Sequence, residues 1–171
     1  MSIDIEIIKE FVVESKTLVS ELVVLLEGVE GDFSKVTQLA EYGNGVDRIM
    51  GGAQSLAMLA PPDHALHMIS DYSAVCKAVS YKASQISNNK QFFEICVGLL
   101  IDATENLSKL LDNIDQDSVT LKKIIPQAFI ERLHWASEQF AAHVRATIAA
   151  GGLVNKTTQP EINDLIKKLG L

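Results

Sequence analysis

Apolar residues return every three or four positions along most of this chain, and this spacing restricts it to a helical fold. Helices are predicted over 3–26, 35–59, 63–86, 90–114 and 126–150, followed by a short one over 161–169. Glycines or prolines end several of these stretches, and the alternating pattern of a strand does not occur. We therefore expect an all-α, antiparallel up-down bundle of four to five helices with a short C-terminal helical tail.

The sequence predicts one domain and a tail. Its 171 residues, 47% of them hydrophobic, suffice for a single core. We expect a helical bundle domain over 1–151, a linker over 152–160 and a partner-docking helix over 161–171. Residues 153–159 read as a linker, and Pro160 suits the first turn of a helix. The tail helix is too short to be stable alone.

Charge, hydropathy and cysteine content exclude several functions. A formal net charge of −7 without a cluster of Lys or Arg argues against nucleic acid as a partner. No stretch has the length of a membrane span and the start is acidic, so we expect a cytoplasmic protein without membrane contact. Cys76 and Cys96 lie in apolar periodic segments and are predicted to be buried core thiols. No His-x-x-x-His spacing occurs, so we expect no metal site and no cofactor of its own.

The second predicted helix carries a polar stripe on the side away from its apolar face. At about 100° per residue, the stripe contains Asp47, Gly51, Gln54 and Met58, with Asn44 beside them. A glycine inside a helix costs about 1 kcal/mol relative to alanine, and Gly51 and its neighbour both carry that cost. Close packing against the first helix would explain these glycines, and so would a partner that docks over Gly51.

The same helix resembles a known signalling motif. Residues 50–58, Met-Gly-Gly-Ala-Gln-Ser-Leu-Ala-Met, are similar to the phosphohistidine helix of Hpt domains, Phe-x-x-Ala-His-Ser-Leu-Lys-Gly. Residues 11–26 resemble the first long helix of that family, so the likeness extends over 5–112. Gln54 stands in place of the phosphorylated His, Ala57 in place of the Lys and Met58 in place of the Gly. The resemblance implies an Hpt-like bundle that cannot transfer phosphate through position 54.

The other histidines do not replace the missing one. None has the Ser, Lys and Gly that flank the phosphorylated residue of the Hpt motif; they are His64, His67, His134 and His143. We expect them to be ordinary bundle or surface residues.

The tail resembles a peptide that binds response regulators. Residues 159–171, Gln-Pro-Glu-Ile-Asn-Asp-Leu-Ile-Lys-Lys-Leu-Gly-Leu, are similar to the C-terminus of CheZ chemotaxis phosphatases and to the CheY-binding peptide of the flagellar switch protein FliM. Those peptides form a short amphipathic helix in a groove of activated CheY. The resemblance implies the apolar anchors Ile162, Leu165, Ile166 and Leu169, with Glu161 and Asp164 as polar contacts. The alternative is a terminal helix packed on the bundle.

A CheY-like response regulator carries its phosphoryl group on an Asp beside a Mg²⁺ ion, and hydrolysis requires mainly a positioned water. CheZ-type phosphatases supply an acid and an amide from one helix. Here Gln54 shares its stripe with Asp47, about 10.5 Å away along the axis. Glu41 and Asn44 instead resemble the Glu-x-x-Asn element of the CheC, CheX and FliY phosphatases.

The sequence therefore predicts a phosphatase that acts on a CheY-like regulator, with Mg²⁺ held by that partner. Gln54 or Asn44 would supply the amide, and Asp47 or Glu41 would supply the acid. Gly51 and Met58 would form a contact surface for the regulator. The alternatives are a non-catalytic pseudo-Hpt adaptor that sequesters a regulator and a purely structural bundle. A homodimer also remains open, because apolar residues of the fifth predicted helix lie on more than one face: Phe129, Leu133, Trp135, Phe140 and Val144.

Overall fold

The structure is a computed structural model that describes residues 3–151 and 159–171, with side chains described over 3–142 and 162–171. The described residues form no strand and seven α-helices: α1 (Ile5–Val29), α2 (Leu39–Ala57), α3 (Ala65–Ala83), α4 (Lys90–Asp112), α5 (Ser118–Lys122), α6 (Gln127–Gly151) and α7 (Gln159–Lys168). A 3-10 helix over Phe33–Gln38 precedes α2. The predicted all-α bundle is confirmed, with seven helices rather than four to five.

Capping side chains set some of the helix starts that were predicted differently. The Asp4 carboxylate accepts a hydrogen bond from the Glu6 backbone N–H at 2.9 Å, so α1 begins at Ile5. Asp32 caps the 3-10 helix in the same way, and this helix takes the place of the first predicted turn, so that the second long helix starts at 39 instead of 35 without a side-chain cap of its own. Asp117 caps the short α5. Each of these caps is an acidic residue in a polar connection.

Helices α1 to α4 form the closed ring of an up-down bundle. Each packs against the next, and α4 returns to contact α1. Helix α6 lies against α4 and α3 outside the ring, and α7 lies across α3 and α6. The centre of the core is fully buried and includes Leu26, Leu39, Tyr42, Phe93 and Leu107. Because α2 has neighbours on only part of its circumference, one of its faces stays exposed.

Two buried tyrosines tie α2 and α3 to α4. The Thr104 hydroxyl donates to the Leu100 carbonyl at 2.7 Å, so the Tyr42 hydroxyl is the donor in its own 2.7 Å bond to Thr104 Oγ1. Tyr72 donates to the Ala103 carbonyl, also at 2.7 Å. Burial raises the pKa of both tyrosines well above its ordinary value, so both remain hydrogen-bond donors. These bonds fix the rotation of α2 and of α3 against α4.

The two cysteines lie in the core, as predicted. Cys76 and Cys96 are buried and form no disulfide. Burial raises the pKa of each thiol to about 12, which keeps it protonated at neutral pH. Across the described helices, none combines the length and the apolar composition that a membrane crossing requires.

Candidate functional site

The exposed face of α2 carries the predicted polar stripe. Helix α2 buries Leu39, Tyr42, Val46, Ile49, Ala53 and Ala57. Away from that face, Asn44 and Gln54 are exposed and Asp47 and Gly51 are half-buried. Met58 follows the last residue of α2 and is 83% exposed. We call Asn44, Asp47, Gly51, Gln54 and Met58 the α2 stripe. The predicted placement of these residues on one outer surface is therefore correct.

Helix α3 holds two members of the α2 stripe. Lys77 Nζ lies 2.7 Å from Asp47 Oδ1, and the Tyr81 hydroxyl donates a hydrogen bond to Asn44 Oδ1. Lys77 Nζ also lies 5.9 Å from the centroid of the Tyr81 ring. Sequence reasoning missed both α3 residues. Their spacing of four positions places them on one helix face, but only the register between α2 and α3 reveals what they contact.

The glycines of α2 have different surroundings. A Cβ on Gly52 would lie 3.1 Å from Phe11 Cε2 of α1, and one on Gly43 would lie 2.7 Å from Tyr81 Cε1 of α3. A Cβ on Gly51 would meet no described atom beyond its own helix within 4 Å. Close packing against α1 therefore accounts for Gly52 and does not account for Gly51. Of the two explanations given for these glycines, only a partner that docks over the helix applies to Gly51.

The two candidate acid and amide pairs are arranged differently. Asp47 and Gln54 are seven positions apart, about 10.5 Å along the axis, and the side chain of Gln54 has no hydrogen-bond partner among the described residues. Glu41 and Asn44 are three positions apart, and both are exposed near the start of α2. Helix α2 thus brings Glu41 and Asn44 together on one turn, whereas no acid lies within four positions of Gln54 along the helix.

The tail helix α7 rests on the bundle. Ile162 and Ile166 are fully buried and Leu169 is 2% exposed, whereas Leu165 is half-buried and Asp164 exposed. Three of the four predicted anchors therefore contact the protein's own core. The side chain of Glu161 and residues 152–158 of the predicted linker lie outside the described residues.

Polar contacts hold both ends of α7. The Ser137 hydroxyl donates to Asn163 Oδ1 at 3.3 Å, and Lys168 Nζ lies 3.1 Å from Asp71 Oδ1 on α3. Gly170 follows α7 with φ +72°, and a Cβ there would lie 2.6 Å from Lys122 Nζ. This arrangement agrees with the alternative reading of the tail, a terminal helix packed on the bundle.

The histidines whose side chains are described have structural or surface positions. His64 Nδ1 accepts a hydrogen bond from the Leu66 N–H at 3.2 Å and caps α3. Burial and the neighbouring His67 lower the pKa of His64. His67 Nε2 is buried without a hydrogen-bond partner in the described part of the chain. His134 is exposed, and the side chain of His143 lies outside the described range.

No group of three or more His, Cys, Asp or Glu that could hold a metal ion occurs among residues whose side chains the structure describes.

Of the apolar residues on α6 that would serve a homodimer, three belong to the core. Phe129, Leu133 and Phe140 are 2%, 3% and 2% exposed. Trp135 is 42% exposed and contacts Phe92 edge-on, with ring centroids 6.0 Å apart. The side chain of Val144 lies outside the described residues. Most of the predicted dimer residues are therefore unavailable to a second copy.

Comparisons with models of known protein families, with curated protein sequences and with solved structures found no match.

Proposed function

We propose that this chain binds a CheY-like response regulator over the α2 stripe and accelerates hydrolysis of its aspartyl phosphate. The observation that carries the proposal is the position of Gly51 between Asp47 and Gln54 on the outer face of α2, where an added Cβ would meet no described atom beyond its own helix within 4 Å. Such a glycine costs about 1 kcal/mol of stability. A flat patch that lets a partner approach the backbone is a reason to keep it.

Gln54 supports the hydrolytic part of the proposal. Gln54 follows Gly51 by three positions and is exposed, and its side chain has no hydrogen-bond partner among the described residues. A carboxamide can both donate to and accept from a water molecule. Phosphoryl hydrolysis depends mostly on positioning, so one well-placed amide is a useful contribution. The regulator would supply the Mg²⁺ ion.

Asn44 is the second candidate amide, and its situation differs. Its oxygen already accepts a bond from Tyr81, which fixes the orientation of the carboxamide. An exposed acid, Glu41, lies three positions before it. Asp47 is instead paired with Lys77 and would have to exchange this partner for a lysine of the regulator. Half-exposed ion pairs contribute only about 0.2–1 kcal/mol of stability, so the exchange would cost little free energy.

The observation that favours a non-catalytic adaptor is the internal pairing of Asp47 and Asn44. Both side chains are already satisfied by α3 residues, Lys77 and Tyr81. A regulator would then be bound over the α2 stripe and sequestered without faster loss of its phosphoryl group. Gly51 and Met58 would serve as contact surface in either case.

Two matched glycines allow a direct test of binding. Gly51→Arg places a long side chain on the α2 stripe, and Gly98→Arg does the same on α4, where an added Cβ also meets no atom within 4 Å. Binding of a phosphorylated CheY-like regulator would be measured by titration, with helical content checked by circular dichroism. We expect Gly51→Arg to weaken binding by roughly tenfold or more, equivalent to about 1.4 kcal/mol, and Gly98→Arg to leave it unchanged.

The outcomes separate the candidates. Binding together with faster decay of the phosphorylated regulator supports the phosphatase. Binding with unchanged decay supports the adaptor. No binding, or equal effects of the two arginine substitutions, would reject the α2 stripe as the docking surface.

A further inference from the structure

We infer that Arg48 of α2 makes the proposed docking surface selective for the phosphorylated regulator, by donating hydrogen bonds to its phosphoryl group. This inference rests on the proposed function and adds a specificity-determining residue to it. Arg48, Gly51 and Gln54 follow one another at intervals of three positions. Each interval is about 4.5 Å along the helix and about 60° around it, so the three residues form a slanting row across the outer face of α2. The row places bare backbone between a guanidinium and a carboxamide.

Gly51 provides the space in the middle of this row. An added Cβ there would meet no described atom beyond its own helix within 4 Å. The Ser55 hydroxyl donates a hydrogen bond to the Gly51 carbonyl oxygen at 2.9 Å, and this bond offsets part of the negative charge that would repel an anion. A phosphoryl group over Gly51 would lie within one helical turn of both Arg48 and Gln54.

Arg48 is an unpaired cation in an acidic protein. The formal net charge is −7, yet Arg48 is exposed and has no ion pair among the described residues. Many of the other cations near the ring of helices are paired with acids, namely Lys9, Lys16, Lys35, Lys77, Lys90 and Lys109. Lys77, the cation that contacts the α2 stripe from α3, is neutralised by Asp47. The charge of Arg48 is therefore available to a partner.

Two glutamates of α1 lie near Arg48 without pairing with it. Arg48 lines a groove of about 410 Å³ between α1 and α2 together with Glu14 and Glu21, and it forms an ion pair with neither. All three side chains are exposed, so water and salt screen the attraction between them. Arg48 can therefore turn from the groove toward Gly51 with little loss of free energy.

An arginine suits a phosphoryl group in geometry and in charge. Its planar guanidinium can donate two parallel hydrogen bonds to two phosphoryl oxygens, and it is effectively always charged. A phosphoryl group offers more negative charge and more acceptor oxygens than the free carboxylate of an unphosphorylated regulator. Arg48 should therefore contribute more to binding of the phosphorylated form, whereas the uncharged Gln54 orients the water.

Substitution of Arg48 tests the inference on the full chain. The readout is the affinity for a CheY-like regulator loaded with beryllofluoride, a phosphoryl mimic that is not hydrolysed, divided by the affinity for the unloaded regulator. We expect Arg48→Gln to lower this ratio by about tenfold, equivalent to about 1.4 kcal/mol. Arg48→Lys should lower it less, because lysine keeps the charge without the planar fork. Lys123→Gln is the matched control and should leave the ratio unchanged, since Lys123 is also exposed and has no ion pair among the described residues.

Several results would overturn the inference and leave the proposed function in place. If Arg48→Gln weakens binding of both forms of the regulator equally, Arg48 is a general contact and does not recognise the phosphoryl group. If the ratio falls equally in Lys123→Gln, the loss of net charge explains the effect. A wild type that binds both forms equally, or a ratio that Arg48→Gln does not change, also contradicts the inference. If the wild type binds neither form, the proposed function fails and the role of Arg48 fails with it.

Discussion

Asp47 of α2 and Lys77 of α3 lie side by side on the surface of the bundle, with 2.7 Å between Oδ1 and Nζ. Their side chains are 46% and 32% exposed. The pair fixes the position of the Asp47 carboxylate in the α2 stripe, and the neighbouring bond from Tyr81 to Asn44 fixes an amide beside it. The polar part of the stripe is thus prearranged by α3.

This ion pair should contribute little to stability. A double-mutant cycle with Asp47→Asn and Lys77→Met is expected to give a coupling energy of about 0.2–1 kcal/mol, because both side chains are in contact with water. Urea unfolding followed by circular dichroism measures it. A coupling of several kcal/mol would mean that the pair is a structural element that cannot be exchanged for a regulator's lysine.

Alanine substitutions at two glycines of α2 should change stability in opposite directions. Gly51→Ala is expected to stabilise the protein by about 0.5–1 kcal/mol, since nothing obstructs the new Cβ and alanine favours the helix. Gly43→Ala is expected to destabilise it, because its Cβ would lie 2.7 Å from Tyr81 Cε1 and 2.8 Å from Ser80 Oγ. Thermal unfolding of both variants is the measurement. Loss of stability in Gly51→Ala would remove the main observation behind the docking surface.

The buried hydrogen bond from Tyr42 to Thr104 predicts that removing its donor and removing its acceptor lower stability by different amounts. Tyr42→Phe removes the donor and leaves Thr104 with its second bond to the Leu100 carbonyl, so we expect a loss of about 1 kcal/mol. Thr104→Val leaves the fully buried Tyr42 hydroxyl without an acceptor, and we expect a larger loss within about 1–3 kcal/mol. The urea midpoints of the two variants would show which substitution is the more destabilising. The reverse order would mean that the hydroxyl of Tyr42 is not the donor.

His64 should make stability depend on pH. Its folded pKa is lowered from 6.5 by burial and by His67, so the unfolded chain takes up a proton first as the pH falls. Stability is therefore constant above the unfolded pKa and decreases as the pH falls from there toward the folded pKa. Protonation also removes the Nδ1 acceptor that caps α3.

Replacement of this histidine provides the check. His64→Asn keeps a capping oxygen and abolishes the titration. We expect the loss of stability between about pH 7.5 and pH 5.5 to be smaller in the variant than in the wild type. Urea midpoints at the two pH values measure it, and identical losses would contradict the assignment to His64.

The apolar spacing was enough to predict the five long helices and the angular position of the α2 stripe. It failed at helix starts: the Asp4 cap begins α1 at Ile5, and a 3-10 helix capped by Asp32 replaces the first turn of the second predicted helix. It also could not place α7, because an amphipathic helix has the same pattern whether Ile162 and Ile166 face a partner or the bundle. Lys77 and Tyr81 were missed because their contacts depend on the register between two helices.

The most direct test of the proposed function is the rate at which a phosphorylated CheY-like regulator loses its phosphoryl group in the presence of this chain. Gln54→Ala is the informative variant, and Gln91→Ala on α4 is a matched control, since both glutamines are exposed. If Gln54 positions the water, the wild type and Gln91→Ala accelerate the decay equally, and Gln54→Ala loses most of that effect, up to roughly 10²-fold. Equal acceleration by all three proteins would contradict the role of Gln54 and leave Asn44 as the candidate amide. Decay no faster with the wild type than without any protein would contradict a hydrolytic role for the α2 stripe.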